Sequence, residues 1–182
     1  MHKFYHLCLM NIAYLSLGSN IGDREANLLK SIALLQKEAG EIIAISSLYE
    51  TEPWNMDDSS SFINQVIEVQ TKLSADKLMD ILLETETKMG RVRPQTPKGA
   101  LNKTDTKYES RVIDIDILFY NDAIISSDKL TIPHPLLHQR RFVLEPLAEI
   151  NPNLIHPLLN KAISALLLEC KDSYMVAKIM SK

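Results

Sequence analysis

Asp114 and Asp116 stand two residues apart in Arg111-Val112-Ile113-Asp114-Ile115-Asp116-Ile117-Leu118. Side chains alternate between the faces of a strand, so the two carboxylates share one wall while Ile113, Ile115 and Ile117 occupy the other. Like charges this close on a mostly buried strand are costly and call for a cation. Hard oxygen ligands facing a pocket suit magnesium and bound phosphates. An amphipathic edge strand with solvated aspartates is the plainer alternative that this stretch alone leaves open.

The flanking charge moves the balance. From Lys88 to Arg111, Lys88, Arg91, Arg93, Lys98, Lys103, Lys107 and Arg111 stand against only Asp105 and Glu109, in a chain whose net charge is −3. Arg91 and Arg93, separated by one residue ahead of Pro94, can point the same way, and a guanidinium fork matches phosphate oxygens bidentately. Carboxylates that bind metal beside converging arginines are what phosphoryl transfer needs, because positioning and charge neutralisation dominate its catalysis. A solvated basic excursion is the alternative for this loop.

Other residues are weaker signals taken singly. No GxxxxGK[ST] motif is present, and Gly18-Ser19-Asn20-Ile21-Gly22-Asp23 has the wrong spacing for a dinucleotide fingerprint, so a nucleotide must be held otherwise. Glu86 lies beside the apolar stripe of its helix, within reach of a ligand or of a neighbouring arginine. His134 is pinned between Pro133 and Pro135 and followed by the pair Arg140-Arg141 and by Phe142. His138 and His156 are assigned no role. Phe62 and Asn64 share a strand face near Trp54, the single tryptophan, and offer rings and an amide to a flat heterocycle; core packing and a turn contact are the alternatives.

These residues need a scaffold. A chain of 182 residues with 46% hydrophobic and 24% charged residues has the composition of one compact domain, taken as residues 10–182, with 1–9 as a disordered extension. The charge balance argues against a surface that grips nucleic acid. Cys8 and Cys170 form no metal-binding or disulfide pattern, which fits a reducing cytoplasm. No signal peptide or membrane span is expected, and a monomer is the default.

The periodicities predict a strand at Ile12–Leu17 with a turn at Gly18-Ser19-Asn20, then a helix capped by Asp23 with Leu28, Ile32, Leu35 and Ala39 on one face, ending at Gly40. A strand from Glu41 to Tyr49 and another from Phe62 to Thr71 form a hairpin with a long connection. Ser74 caps a second helix, stopped by Gly90; the loop from Arg91 to Ser110 then leads to a strand at Val112–Tyr120. Arg91 to Ser110 is long for a compact domain and is expected to close over ATP. The order βαββαβ is the α+β, ferredoxin-like arrangement, with two helices on one face of an antiparallel sheet and a proline-punctuated C-terminal elaboration.

Taken together, Arg-x-x-Asp-x-Asp at 111–116, Leu-Gly-Ser-Asn after the first strand, Tyr49-Glu50-Thr51-Glu52-Pro53, Phe62-Ile63-Asn64, Glu86 ahead of Gly90-Arg91-Val92-Arg93, and Ile132-Pro133-His134 leading to Arg140 and Phe142 resemble the 6-hydroxymethyl-7,8-dihydropterin pyrophosphokinases. The likeness runs from about residue 11 to residue 153. It implies ATP as co-substrate, two Mg2+ ions held by Asp114 and Asp116, and transfer of diphosphate to the pterin with release of AMP. It also implies catalytic roles for Arg91, Arg93, Asp114 and Asp116, and ATP contacts from Glu86, Arg91, Arg93, Arg111, Ile117, Lys129, Thr131, His134 and Arg140. The pterin would be surrounded by Thr51, Glu52, Trp54, Phe62, Asn64, Tyr108 and Phe142. Where the family often has Trp-Gly-Pro, this chain has Tyr108-Glu109-Ser110, so Tyr108 is the candidate for the aromatic lid. A non-catalytic ferredoxin-like binding module and a kinase that transfers only the γ-phosphate remain the competing classes.

Overall fold

The computed structural model describes residues 10–53, 60–91 and 110–180; the N-terminal extension, Trp54, Arg93, Tyr108 and most of the basic loop lie outside the described residues. Strand β1 (Asn11–Ser19) runs through Gly18 and Ser19, which extend it past the expected turn. The chain turns only at Asn20, whose backbone is tied to Arg111 at 3.2 Å. Helix α1 (Arg24–Glu38) starts where the Asp23 carboxylate accepts the Ala26 N–H at 3.0 Å, an ordinary N-cap.

The expected strand from Glu41 to Tyr49 is two pieces, β2 (Glu41–Ile45) and β3 (Tyr49–Thr51). Ser46 causes the break. Its hydroxyl accepts the Val66 N–H at 3.0 Å, taking a bond that a regular ladder would give to a carbonyl, and the chain kinks before pairing resumes. Both pieces pair with β4 (Phe62–Thr71). Helix α2 (Ala75–Lys88) is capped by Ser74 and stopped by Gly90, whose φ of +91° suits a residue without a side chain. Strand β5 (Asp114–Tyr120) begins two residues later than expected because the chain bends at Val112.

The rest of the chain adds the hairpin β6 (Ile125–Ser126) and β7 (Thr131–Ile132), helix α3 (Arg141–Ile150), the hairpin β8 (Ile155–His156) and β9 (Lys161–Ala162), helix α4 (Ile163–Glu169) and strand β10 (Val176–Lys178). The result is a mixed α/β fold on an antiparallel sheet of six strands, ordered β10-β3-β4-β1-β5 with β2 also on β4. One sheet face buries Leu15, Leu17, Ile67, Ile115 and Ile117 against Leu28, Leu35, Leu78 and Leu82 of α1 and α2. The C-terminal elaboration makes a second layer. Val143, Leu144 and Leu147 of α3 and Ile163 and Leu166 of α4 pack with Tyr14, Val66 and Phe119 on the opposite face. No helix among the described residues is long and apolar enough to cross a membrane.

A β-bulge marks the boundary of that second core. Leu15 is opposite Ile117 and Tyr14 opposite Phe119, so Leu118 is an extra residue on β5. Its carbonyl accepts the His134 N–H at 3.0 Å, which brings the Pro-His-Pro segment onto the sheet beside the aspartates.

Candidate active site

The part of the second face that α3 and α4 leave open is a cleft of about 630 Å³, counting the space open to solvent. Its floor is written by strand alternation. Ser16 and Gly18 of β1 stand opposite Asp116 and Asp114 of β5 on one side and Val66 and Asn64 of β4 on the other. Thr51, Glu52 and Phe62 close one end, Arg111 and His134 line the other, and Arg140, Phe142 and Val143 at the start of α3 form a wall.

At the first end Asn64 is 5% exposed, and its Nδ2 donates to Thr51 Oγ1 at 2.7 Å. A Cβ on Gly18 would stand 2.7 Å from Asn64 Oδ1, so the bare backbone there makes room for the carboxamide. Phe142 carries the Arg140 guanidinium 5.7 Å from its ring centroid, within cation–π range.

At the second end Asp114 is held by two arginines: Oδ1 accepts from Arg91 and Oδ2 from Arg111 Nη1 at 2.7 Å. Arg91 also donates to Glu86, which is 1% exposed and accepts the Ile115 N–H at 2.8 Å. Burying a carboxylate costs several kcal/mol, which an arginine and a strand N–H together offset. Asp116 sits at the cleft floor, where burial, then the charge of Asp114, pushes its carboxyl up to about 7 against the pull of Arg140.

His134 is a neutral group in this setting. Burial and then the Arg140 charge hold its imidazole down to about 4. Nδ1 accepts the Leu136 N–H at 3.2 Å, which leaves the ring proton on Nε2 as a donor.

Ten of the residues singled out from the sequence therefore line one cleft: Thr51, Glu52, Phe62, Asn64, Arg111, Asp114, Asp116, His134, Arg140 and Phe142. Glu86 and Arg91 stand behind Asp114. Three residues expected at the adenine are not on its lining. The Ile117 side chain is 3% exposed in the core under α1 and α2, because the same alternation that turns Asp116 to the cleft turns Ile117 away. Lys129 Nζ is engaged with Asp80 Oδ1 at 2.5 Å on the surface, and Thr131 is exposed on β7. Ser16, Leu118 and Val143 are lining residues that sequence reasoning did not name. Ser16 follows from the period of β1, whereas a bulge at Leu118 leaves no periodic signal.

An antiparallel α/β fold that gathers two aspartates, three arginines and a neutral histidine around one cleft has the equipment of a phosphoryl-transfer enzyme. The family model for 7,8-dihydro-6-hydroxymethylpterin-pyrophosphokinase matches residues 14–152, and the chain belongs to that family. Among curated relatives, the 2-amino-4-hydroxy-6-hydroxymethyldihydropteridine pyrophosphokinase of Bacillus subtilis is 39% identical over 141 residues, covering 77% of this chain and 78% of that protein. The enzyme of the same name from Aquifex aeolicus is 39% identical over 154 residues, covering 85% and 89%. Among solved structures, a Plasmodium falciparum HPPK-DHPS protein aligns with a TM-score of 0.69 at 19% identity, over 88% of this chain but only 44% of that one, and supports the fold.

Proposed function

We infer that this chain transfers the β,γ-diphosphate of ATP to the hydroxyl of 6-hydroxymethyl-7,8-dihydropterin, giving AMP and the pterin diphosphate in folate synthesis. The observation that carries this is a single cleft with an amide-and-aromatic end, Thr51, Phe62, Asn64 and Phe142, and a charged end, Asp114, Asp116, Arg111, His134 and Arg140. Asn64 and Thr51 would read the polar edge of the pterin while Phe62 and Phe142 cover its ring. The order β5, β1, β4, with β2 and β3 each paired to β4, supports a ferredoxin-like core beneath.

Magnesium fits the donor set. Two carboxylates share one wall, and burial makes Asp116 hard to ionise without a cation nearby. Among the described residues no group of three or more His, Cys, Asp and Glu stands ready to hold a metal, so phosphate oxygens would complete the coordination. Asp114 and Asp116 would hold two ions, which supply charge neutralisation and polarisation at the transferred phosphates.

Arg91, Arg111 and Arg140 would take phosphate oxygens, and His134 Nε2–H would donate to one without adding charge. Arg93, Trp54 and Tyr108 keep the roles that the family pattern gives them. Adenine would lie near Lys129 and Thr131 and meet Ile117 through its backbone, since that side chain is committed to the core. With ATP, magnesium and the pterin, AMP formed in equal amount to pterin diphosphate is the expected product. ADP, or no turnover, would overturn the assignment.

A further inference from the structure

Residues beyond 152 lie outside the family match, yet a short C-terminal segment touches one end of the cleft and the start of its α3 wall. Helix α3 carries Arg140 at its N-cap and Phe142 in its first turn, and it opens with no acidic residue there. Arginine has no acceptor with which to cap a helix. The missing acceptor comes from far along the chain: Asp172 Oδ2 accepts the Arg141 N–H at 2.9 Å, while Oδ1 accepts the Tyr174 N–H at 3.1 Å and shapes the turn that presents it. A carboxylate at this position also faces the positive end of the helix.

Immediately after that turn the chain reaches the other side of the site. Glu52 N–H donates to the Met175 carbonyl at 3.2 Å, and Met175 N–H returns a bond to Glu52 Oε2 at 3.0 Å. Val176 of β10 then stands opposite Thr51, whose hydroxyl holds Asn64. Farther on, Lys178 Nζ reaches Glu149 near the end of α3 at 2.9 Å. The segment from Asp172 to Lys178 thus spans the cleft walls that carry Arg140 and Phe142 on one side and Thr51 and Glu52 on the other.

We propose that Asp172 is a positioning residue of the active site: through this segment it fixes the start of α3 against the end of β3 and so sets the width of the pterin slot. It touches neither substrate, and the proposal rests on the pyrophosphokinase reading above. The test compares Asp172→Ala, Asp172→Asn and Asp172→Glu with Ser74→Ala, which removes the cap of α2, the helix that packs under the opposite face of the sheet.

Pterin affinity in Asp172→Ala should fall about fivefold, the order of one lost helix cap. Asp172→Asn keeps one of the two acceptors and sets its NH2 against the other N–H donor, so its affinity should fall between those of the parent and Asp172→Ala. Asp172→Glu displaces the carboxylate by one methylene and should lose affinity while melting near the parent temperature, so the test stands even if the alanine variant fails to fold. Ser74→Ala should leave pterin affinity unchanged. In the ligand-free protein, amide exchange at Arg141 to Leu144 should quicken in Asp172→Ala, a readout independent of catalysis. Unchanged exchange there, or pterin affinity equal to the parent in both the alanine and glutamate variants, overturns the proposal. Absence of AMP from the parent protein would instead count against the pyrophosphokinase reading.

Discussion

Arg111 Nη1 lies 2.7 Å from Asp114 Oδ2, three residues along the chain and across the bend that starts β5. Together with Arg91 on the other oxygen, it neutralises the aspartate. On the reading proposed above, ATP would exchange this carboxylate for phosphate oxygens at the same arginines. Asp114→Ala and Asp116→Ala should each leave a folded protein whose turnover is reduced at least about a hundredfold, because either change removes charge compensation at the transferred group. Steady-state assays of AMP release check this, and near-normal activity in both variants would sink the two-ion assignment.

Asn64 is the second test. Its replacement by alanine leaves a buried heterocycle edge without its partner, a loss of about 1–3 kcal/mol in pterin binding with little effect on ATP. Gly18→Ala should act in the same direction by a different route, since the new methyl would stand 2.7 Å from Asn64 Oδ1 and push the carboxamide off its Thr51 bond. Calorimetry with each ligand separately reads both variants; equal losses for pterin and an ATP analogue would contradict the pterin role.

The sequence made the floor of this site legible because strands alternate. Asp114 with Asp116, and Phe62 with Asn64, are pairs at i and i+2, and that spacing alone turns them to a common face. The same rule applied to Ile117 places its side chain in the core, away from the cleft. What the period cannot carry is any event that breaks it. Ser46 splits a strand by substituting its hydroxyl for a carbonyl, and the extra residue Leu118 shifts the register and frees the carbonyl that seats His134. The C-terminal layer was equally hidden: α3 and α4 are short amphipathic pieces whose partner face, Tyr14, Val66 and Phe119, lies far away in sequence.

Glu86 separates stability from chemistry. Glu86→Ala removes the acceptor of the Ile115 N–H and one of two carboxylate partners of the half-buried Arg91, a loss of about 1–3 kcal/mol for the donor left unsatisfied. Urea unfolding should show that loss as a lowered midpoint. Asp80→Ala, which breaks the surface pair with Lys129, should leave the midpoint where it is. Similar midpoints for the two variants would mean that Glu86 is not the anchor its burial implies.

The pH dependence of stability provides the last test, through His134. Its imidazole titrates at about 4 in the folded protein against 6.5 for the free side chain, because burial and then the Arg140 charge disfavour the imidazolium. The unfolded chain therefore takes up the proton first. The stability held by neutral His134 is complete above about pH 6.5 and is lost as pH falls through the interval down to about 4. Replacing it with asparagine preserves an acceptor near the Nδ1 position for the Leu136 N–H while removing the titration. Urea midpoints measured from pH 7 to pH 4 should fall more steeply for the parent than for His134→Asn, the two curves converging toward the acid end. Carboxylates and histidines remote from His134 titrate in both proteins alike and cancel in the difference. Parallel curves would show that burial and Arg140 do not disfavour the imidazolium, and the reading of His134 as a group held neutral by its setting would fail.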